Sequence, residues 1–293
     1  MNEPSVEDSP ITVEFRPPED VFGLLGNELR VDILRALAAD VNDPQTFSAL
    51  RAAVGERDSG KFNYHLKKLD GVFVTKADDG DGDGGYQLTL AGQRLVGALV
   101  AGTFTADATL DAIEVDDPCP NCGETPLVVA YDDDYATLTC GACEQWRNEF
   151  SFPPGTLDQY APDELPAAFD RWMHTLFHQI TSGFCANCAG RLSGHLEPDR
   201  EPPAVRWTCE RCGDDARASA TMPVLYHPAA QGFLYDHGLD LTTTPSWRLP
   251  ASESVAIDAD ESGATVTITL DDDTLTAELD AEGRVATIER SGR

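Results

Sequence analysis

Residues Ser59–Leu69 read SGKFNYHLKKL and hold three of the four lysines in a chain of 293 residues; the fourth, Lys76, follows seven residues later. The same chain carries 51 Asp and Glu against 21 Lys and Arg, a formal charge of −30. Phe62, Leu66 and Leu69 recur at i, i+4 and i+7, the period of one buried helical stripe, so Lys61, Asn63, Tyr64, His65, Lys67 and Lys68 are left mostly outward. Ser59 is the expected N-cap and Gly71 the stop. Ammonium groups suit phosphate, while Asn, Tyr and His suit base edges and sugars. A lysine pair is more often an ordinary solvated face, but the confinement of every lysine to one window favours contact with double-stranded DNA through Ser59, Lys61, Asn63, Tyr64, His65, Lys67, Lys68 and Lys76.

The flanking sequence supplies a frame for such a helix. From Pro18, PEDVFGLLGNELRVDILRALA gives a short helix, a break at Gly26-Asn27 and a longer helix from Glu28 to about Ala39. Pro44 to Gly55 gives another short helix, and ERDS a tight turn. Beyond Gly71, VFVTKA and YQLTL read as two strands joined by DDGDGDGG, and TLAGQRLVGALVAGTF closes the segment as a helix. The glycine-rich joint satisfies G-x-G-x-x-G only formally, because it leads into a strand and its aspartates repel a pyrophosphate. It also opens like a calcium loop, but Leu90 stands where the bidentate Glu is required. A wing tip bearing Asp78, Asp79, Asp81 and Asp83 is expected to be pushed away from phosphate.

The motifs LGNELRVDILRAL and SGKFNYHLKKL, followed by the two strands, resemble the ArsR-type winged helix-turn-helix transcriptional regulators, those of haloarchaea in particular. The resemblance covers Glu19 to about Phe104. It implies a sequence-specific regulator and a homodimer to which the helix Thr89 to Phe104 contributes. Metal-sensing members of that family often carry ligands on a DNA-proximal or interface helix; here the segment has no cysteine and one histidine, His65, which disfavours sensing by that route. The acid-rich, lysine-poor composition resembles proteins of extreme halophiles, in which salt shortens the reach of charge repulsion to about 3 Å at 1 M.

All eight cysteines lie beyond residue 118. Cys119-x2-Cys122 and Cys140-x2-Cys143 form one set, and Cys185-x2-Cys188 and Cys209-x2-Cys212 a second, both with zinc-ribbon spacing. A two-residue spacer lets two sulfurs grip one tetrahedral ion, and the hairpin between knuckles brings the second pair opposite the first. Two structural Zn2+ ions per chain are expected, with iron the lesser alternative. Disulfides suit a reducing compartment poorly. The spacing leaves open whether pairs exchange between ribbons. A winged helix followed by ribbons also resembles the archaeal general initiation factor, which implies as an alternative an adaptor contacting polymerase and promoter.

Between the ribbons, LPAAFDRWMHTLFHQITSGF is an amphipathic helix. His174 and His178 stand at i, i+4 with Asp170 one turn earlier, but no Glu follows His174 as the zincin pattern needs. After the second ribbon, MPVLYHPAAQGFLYDHGLDL reads as a strand and then a helix, and the final alternation from Ala264 onward as a β-meander. His227, Tyr235, Asp236 and His237 sit at helix ends that use them as caps and surface contacts as readily as in a site. No nucleophile or paired-carboxylate motif is present, so an enzyme is not expected.

The expected fold is α+β: a disordered tail (1–17), a winged helix-turn-helix (18–105), a linker (106–117), ribbon 1 (118–150), a connecting helix (163–183), ribbon 2 (184–218), and a C-terminal α/β unit with an antiparallel β-meander (219–293). No apolar run reaches the roughly 18 residues of a membrane span and no secretory signal is visible, so no membrane partner and a cytoplasmic location are expected.

Overall fold

The computed structural model describes residues 12–77, 84–143, 145–249, 253–260 and 262–292. The chain is α+β with antiparallel sheets, and it divides into two compact units between Ala106 and Asp107.

In the first unit, α1 (Pro18–Phe22) and a single 3-10 turn lead into α2 (Glu28–Ala38), followed by α3 (Phe47–Ala53) and α4 (Ser59–Leu69). The Thr46 side chain caps α3 by accepting from Ala49 N at 3.2 Å. Asp58, rather than the expected Ser59, caps α4: its carboxylate accepts from Gly60 N at 2.8 Å and Lys61 N at 3.0 Å. Ser59 is the first helical residue instead, because a carboxylate one position earlier reaches the free amides and suits the positive end of the helix dipole. Phe62, Leu66 and Leu69 enter the core with Ile33, Leu34, Leu37 and Leu50. The Phe62 ring meets Phe47 edge-on at 5.0 Å.

Strands β1 (Val74–Lys76) and β2 (Tyr86–Leu88) pair antiparallel, Val74 opposite Leu88. The aspartates of the expected wing tip, Asp78, Asp79, Asp81 and Asp83, lie outside the described residues. Helix α5 (Leu90–Val100) is capped by Thr89, which accepts from Gly92 N at 3.1 Å and donates to Val72 O at 2.7 Å. At Gly92 the helix comes so close to Phe73 that a Cβ would lie 2.2 Å from its carbonyl oxygen, which excludes any larger residue. The helix stops at Val100, short of the expected Phe104, as Gly102 turns the chain at φ 74°.

The second unit begins with a sheet in the order β3 (Leu110–Val115), β4 (Leu127–Asp132), β5 (Tyr135–Cys140) and β6 (Arg147–Ser151). Strand β3 corrects the expectation of a linker at 106–117. Its pairing with β4 places Ile113 opposite Val129 and Val115 opposite Leu127. A register shift between Leu110 and Ile113 breaks the apolar alternation that would have announced it. Helix α6 (Leu165–Thr181) follows, then a three-stranded sheet of β7 (Leu192–Glu197), β8 (Ala204–Cys209) and β9 (Asp215–Ser219). The MPVL segment, expected as a strand, is helix α7 (Met222–Leu225), because Val224 and Leu225 bury against the core on consecutive helical positions instead of alternating. Helix α8 (Pro228–Asp236) precedes the meander β10 (Glu253–Ile257), β11 (Ala264–Leu270), β12 (Asp273–Leu279) and β13 (Val285–Ser291). The inner meander positions Ala264, Val266, Ile268, Leu275, Ala277 and Leu279 are buried.

Two core clusters organise this unit. One gathers Leu127, Val129, Tyr131, Phe150 and Phe152 with Leu165, Phe169 and Met173 of α6. The other gathers Val205 and Trp207, Val224 and Phe233, and the meander face with Ile180 at the far end of α6. The segment after α8 returns to α6: Ser246 N donates to both carboxylate oxygens of Asp170 at 3.1 Å, and Trp247 Nε1 donates to Asp117 at 2.7 Å. Among the described residues no helix is long and apolar enough to cross a membrane.

Candidate metal centres and a basic helix face

The cysteines assemble as two quartets, each within its own ribbon. Cys119, Cys122, Cys140 and Cys143 bring their sulfurs within 4.8 Å of one another, and Cys185, Cys188, Cys209 and Cys212 do the same. No pair exchanges between ribbons and none of the eight forms a disulfide. Cys140 and Cys209 close β5 and β8, so the ladder register (Leu127 opposite Cys140, Leu192 opposite Cys209) sets the second knuckle against the first.

Across each quartet the sulfurs stand 3.9 and 3.6 Å apart (Cys119–Cys143, Cys122–Cys140) and 3.7 and 3.5 Å apart (Cys185–Cys212, Cys188–Cys209). A tetrahedral ion with metal–sulfur bonds of about 2.3 Å separates its sulfurs by about 3.8 Å. Both quartets can therefore hold a metal ion.

The knuckle backbone prepares the sulfurs for negative charge. Cys140 Sγ accepts from the amides of Ala142 and Cys143, and Cys209 Sγ from those of Arg211 and Cys212. Amides of Trp146 and Gln145 hold the Cys143 thiol down at about 6, and those of Cys212 and Arg211 hold Cys209 at about 6. Burial pushes Cys119 and Cys185 up. Asn121 and Asn187 occupy the same place in the two first knuckles, and each turns its side-chain amide toward the last sulfur of its quartet, Cys143 at 3.7 Å and Cys212 at 4.0 Å. Such outer donors fix and tune thiolate ligands.

In the first unit, the residues singled out as DNA contacts lie on α4 and, for Lys76, at the end of β1. Ser59, Lys61, Tyr64, Lys67, Lys68 and Lys76 are exposed, and Asn63 and His65 are half-buried. Lys68 Nζ lies 5.7 Å from the Tyr64 ring centre, and Lys76 Nζ 5.8 Å from that of Tyr86. Lys61 is paired with Glu56 at 2.7 Å, so its charge is partly answered within the fold. His65 is drawn inward, its Nδ1 buried without a hydrogen bond.

A family model described as Domain of unknown function (DUF7351) matches residues 116–285, spanning both cysteine quartets, α6 and the meander as far as the start of β13. The chain belongs to the DUF7351 family. A second model, Domain of unknown function (DUF7347), matches residues 18–99, from α1 to the penultimate residue of α5. The unit boundary falls in the gap between the two matches. No curated protein matches the chain.

Within the DUF7351 region three of the histidines, His174, His227 and His237, have polar partners in the fold. His174 Nδ1 meets the Tyr226 hydroxyl, while its Nε2 lies 3.3 Å from Asp170. His178 is exposed, and no metal-binding group among the described residues includes either one. His227 caps α8 by accepting from Ala229 N, and Asp236 pairs with Arg290 at 2.6 Å. His237 lies within 3.4 Å of Asp271 and 3.3 Å of Asp273, and Tyr235 is exposed. Reasoning from sequence missed Asp117 and Ser246, and it read Asp170 only as a neighbour of the histidine pair, because the bonds of these residues reach partners far along the chain.

Proposed function

We propose that this DUF7351 protein is a sequence-specific DNA-binding transcriptional regulator whose first unit is a winged helix-turn-helix and whose ribbons each carry a structural zinc ion. The observation that supports this most strongly is the division of α4: Phe62, Leu66 and Leu69 are spent entirely on the core, leaving Lys67, Lys68 and the exposed Tyr64 on the opposite side. Helix α3, the turn at Asp58, α4 and the β1–β2 hairpin follow in the order such domains use. A face of this composition offers ammonium groups to phosphate, and a ring and an amide to bases. Leu90, Val100 and Phe104, each about two-thirds exposed on and just beyond α5, are the apolar surface this reading assigns to a homodimer. Four thiolates with no open position make a closed site of the structural type and favour zinc over harder ions.

The reading is tested by selecting bound sequences from random duplex DNA with the full chain and with the K67E/K68E variant. The parent is expected to enrich one motif, and the variant to lose it while keeping its fold and two zinc ions by native mass spectrometry. Absence of enrichment by the parent, or enrichment unaffected by the double reversal, overturns the assignment of this face.

A further inference from the structure

Inside the second unit, a groove of about 720 Å3 opens between the two ribbons. Its walls include the edge strands of two sheets, Arg147 to Phe150 of β6 and Arg217 to Ser219 of β9. The phase of each ladder decides which backbone groups those edges turn outward. Trp146 O accepts from Cys140 N and Phe152 N donates to Asp134 O, so the even-numbered residues of β6 bond β5. Arg147 and Glu149 therefore point their N–H and C=O groups away from the sheet. Likewise Cys209 N donates to Asp214 O and Ala220 N to Pro203 O, so Arg217 and Ser219 face away from β8. Elsewhere the fold closes such edges: Leu196 N of β7 donates to Ala281 O, and Trp172 Nε1 donates to Ser151 O at the end of β6. Among the described residues no backbone bond covers Arg147, Glu149, Arg217 or Ser219 on the side away from its sheet. A row of open donors and acceptors beside a groove is a template for one more strand.

The side chains around the groove define that strand further. Trp146, Phe177, Met222 and Leu249 are half-buried in its lining and offer an accessible apolar bed. Residues 107–293 hold 34 Asp and Glu against 11 Arg, yet the lining sets Arg147, Arg200 and Arg217 against Glu149 and Glu201. These arginine side chains are 53%, 54% and 38% exposed, so their charge reaches the mouth of the groove. Arg147 pairs with Glu149, but Arg200 and Arg217 share the one carboxylate of Glu197, at 3.8 and 2.8 Å, which leaves Arg200 the least answered. A basic segment would find more acid elsewhere on this unit, whereas an acidic segment finds its cations here. Successive side chains of a strand point to opposite faces, so the segment that fits alternates apolar residues toward the bed with acidic residues toward the arginines.

We propose that the groove between the ribbons takes an extended segment of a partner protein, of alternating apolar and acidic residues, as an added strand on the open edge of β6 or β9. This goes beyond the DNA-binding reading and does not depend on it. The probe is a fluorescein-labelled peptide, EVEVEV, titrated into the full zinc-loaded chain and followed by anisotropy in about 1 M salt, where the reach of the net charge falls to about 3 Å. Saturable one-to-one binding is expected, with KVKVKV and the rearranged EEEVVV both weaker. Arg200→Glu should weaken EVEVEV about tenfold, the loss of one charge-assisted bond. Glu149→Pro and Arg217→Pro each remove one outward amide without touching the ladder, a place where an edge strand tolerates proline. Set against the alanine variant at the same position, the proline on the pairing edge should weaken binding about fivefold. If a proline variant does not fold, peptides N-methylated at all the Val amides or at all the Glu amides decide on the unaltered chain, since pairing uses alternate amides and at least one of the two must bind more weakly. The proposal is overturned by the absence of saturable binding, by KVKVKV or EEEVVV binding as tightly, by indifference to Arg200→Glu, or by indifference to both prolines and both methylated peptides. Self-association of the chain that Glu149→Pro abolishes would assign the edge to a second copy instead and overturn it equally.

Discussion

Replacing Asp170 by alanine tests how the second unit is locked together. Asp170 is one of two buried polar or charged residues among those described, and its carboxylate joins α6 to a segment 76 residues further on. Both of its oxygens accept from Ser246 N, and His174 stands beside it in the same helix. A hydrogen bond to a charged group contributes about 1.5–3 kcal/mol, and removing one member of a buried charged cluster costs about 3–5 kcal/mol in all. Taking the lower end, about 3 kcal/mol, a unit of this size melts about 6–12 °C lower, since each kcal/mol shifts Tm by about 2–4 °C at 150–250 residues. Differential scanning calorimetry on zinc-saturated protein reads that shift. Near-ultraviolet dichroism of Trp247, buried next to Ser246, reports whether the segment has come away. D170N keeps one acceptor oxygen for Ser246 N and is expected to lose less than half as much. A D170A protein melting within about 2 °C of the parent would refute the argument, because a carboxylate that locks two elements cannot be that dispensable.

Three further outcomes are expected. If Lys67 and Lys68 each neutralise a phosphate, K67Q/K68Q lowers the slope of log K against log salt by about 1.8, so between about 50 and 200 mM the parent loses about twelvefold more affinity than the variant; equal slopes measured by fluorescence anisotropy would place the lysines off the DNA. Ala189 holds φ 56° just after Cys188, where Gly123 and Gly213 hold the corresponding turns of two other knuckles, so A189G should stabilise by about 1 kcal/mol, seen as a higher Tm; a lower Tm would show that its methyl group is needed. Burial, then the nearby Arg30 and Lys61, keep the His65 pKa below 6.5. The unfolded chain therefore binds that proton more readily, and the first unit loses stability as pH falls from 6.5 toward the lower folded value. H65Q should flatten that part of the loss in melts compared at about pH 7.5 and 5.5, and identical pH responses of parent and variant would count against the buried placement of His65.

How much of this was legible depended on how local each signal is. The stripe of Phe62, Leu66 and Leu69 is complete within one helix, and the cysteine spacings describe each quartet without reference to the rest of the chain. The cap of α4 was misread by one residue because Asp58 and Ser59 are both good caps, and only the backbone conformation distinguishes them. Strand β3 hides in an interrupted pattern, and the four residues of α7 are too few for period 3.6 to separate from period 2. The bonds of Asp117 to Trp247 and of Asp170 to Ser246 span 130 and 76 residues, so tertiary packing alone selects them.

Helix α6 has a consequence for how this protein can be dissected. Phe169 and Met173 belong to the core beneath the first ribbon and Ile180 to the core of the second, and Phe177 packs against both. A fragment that ends anywhere along these 17 residues leaves one ribbon without its hydrophobic seat. Excising a single ribbon should therefore yield an aggregating peptide, and stripping the ion from one end should be felt as a loss of cooperativity at the other.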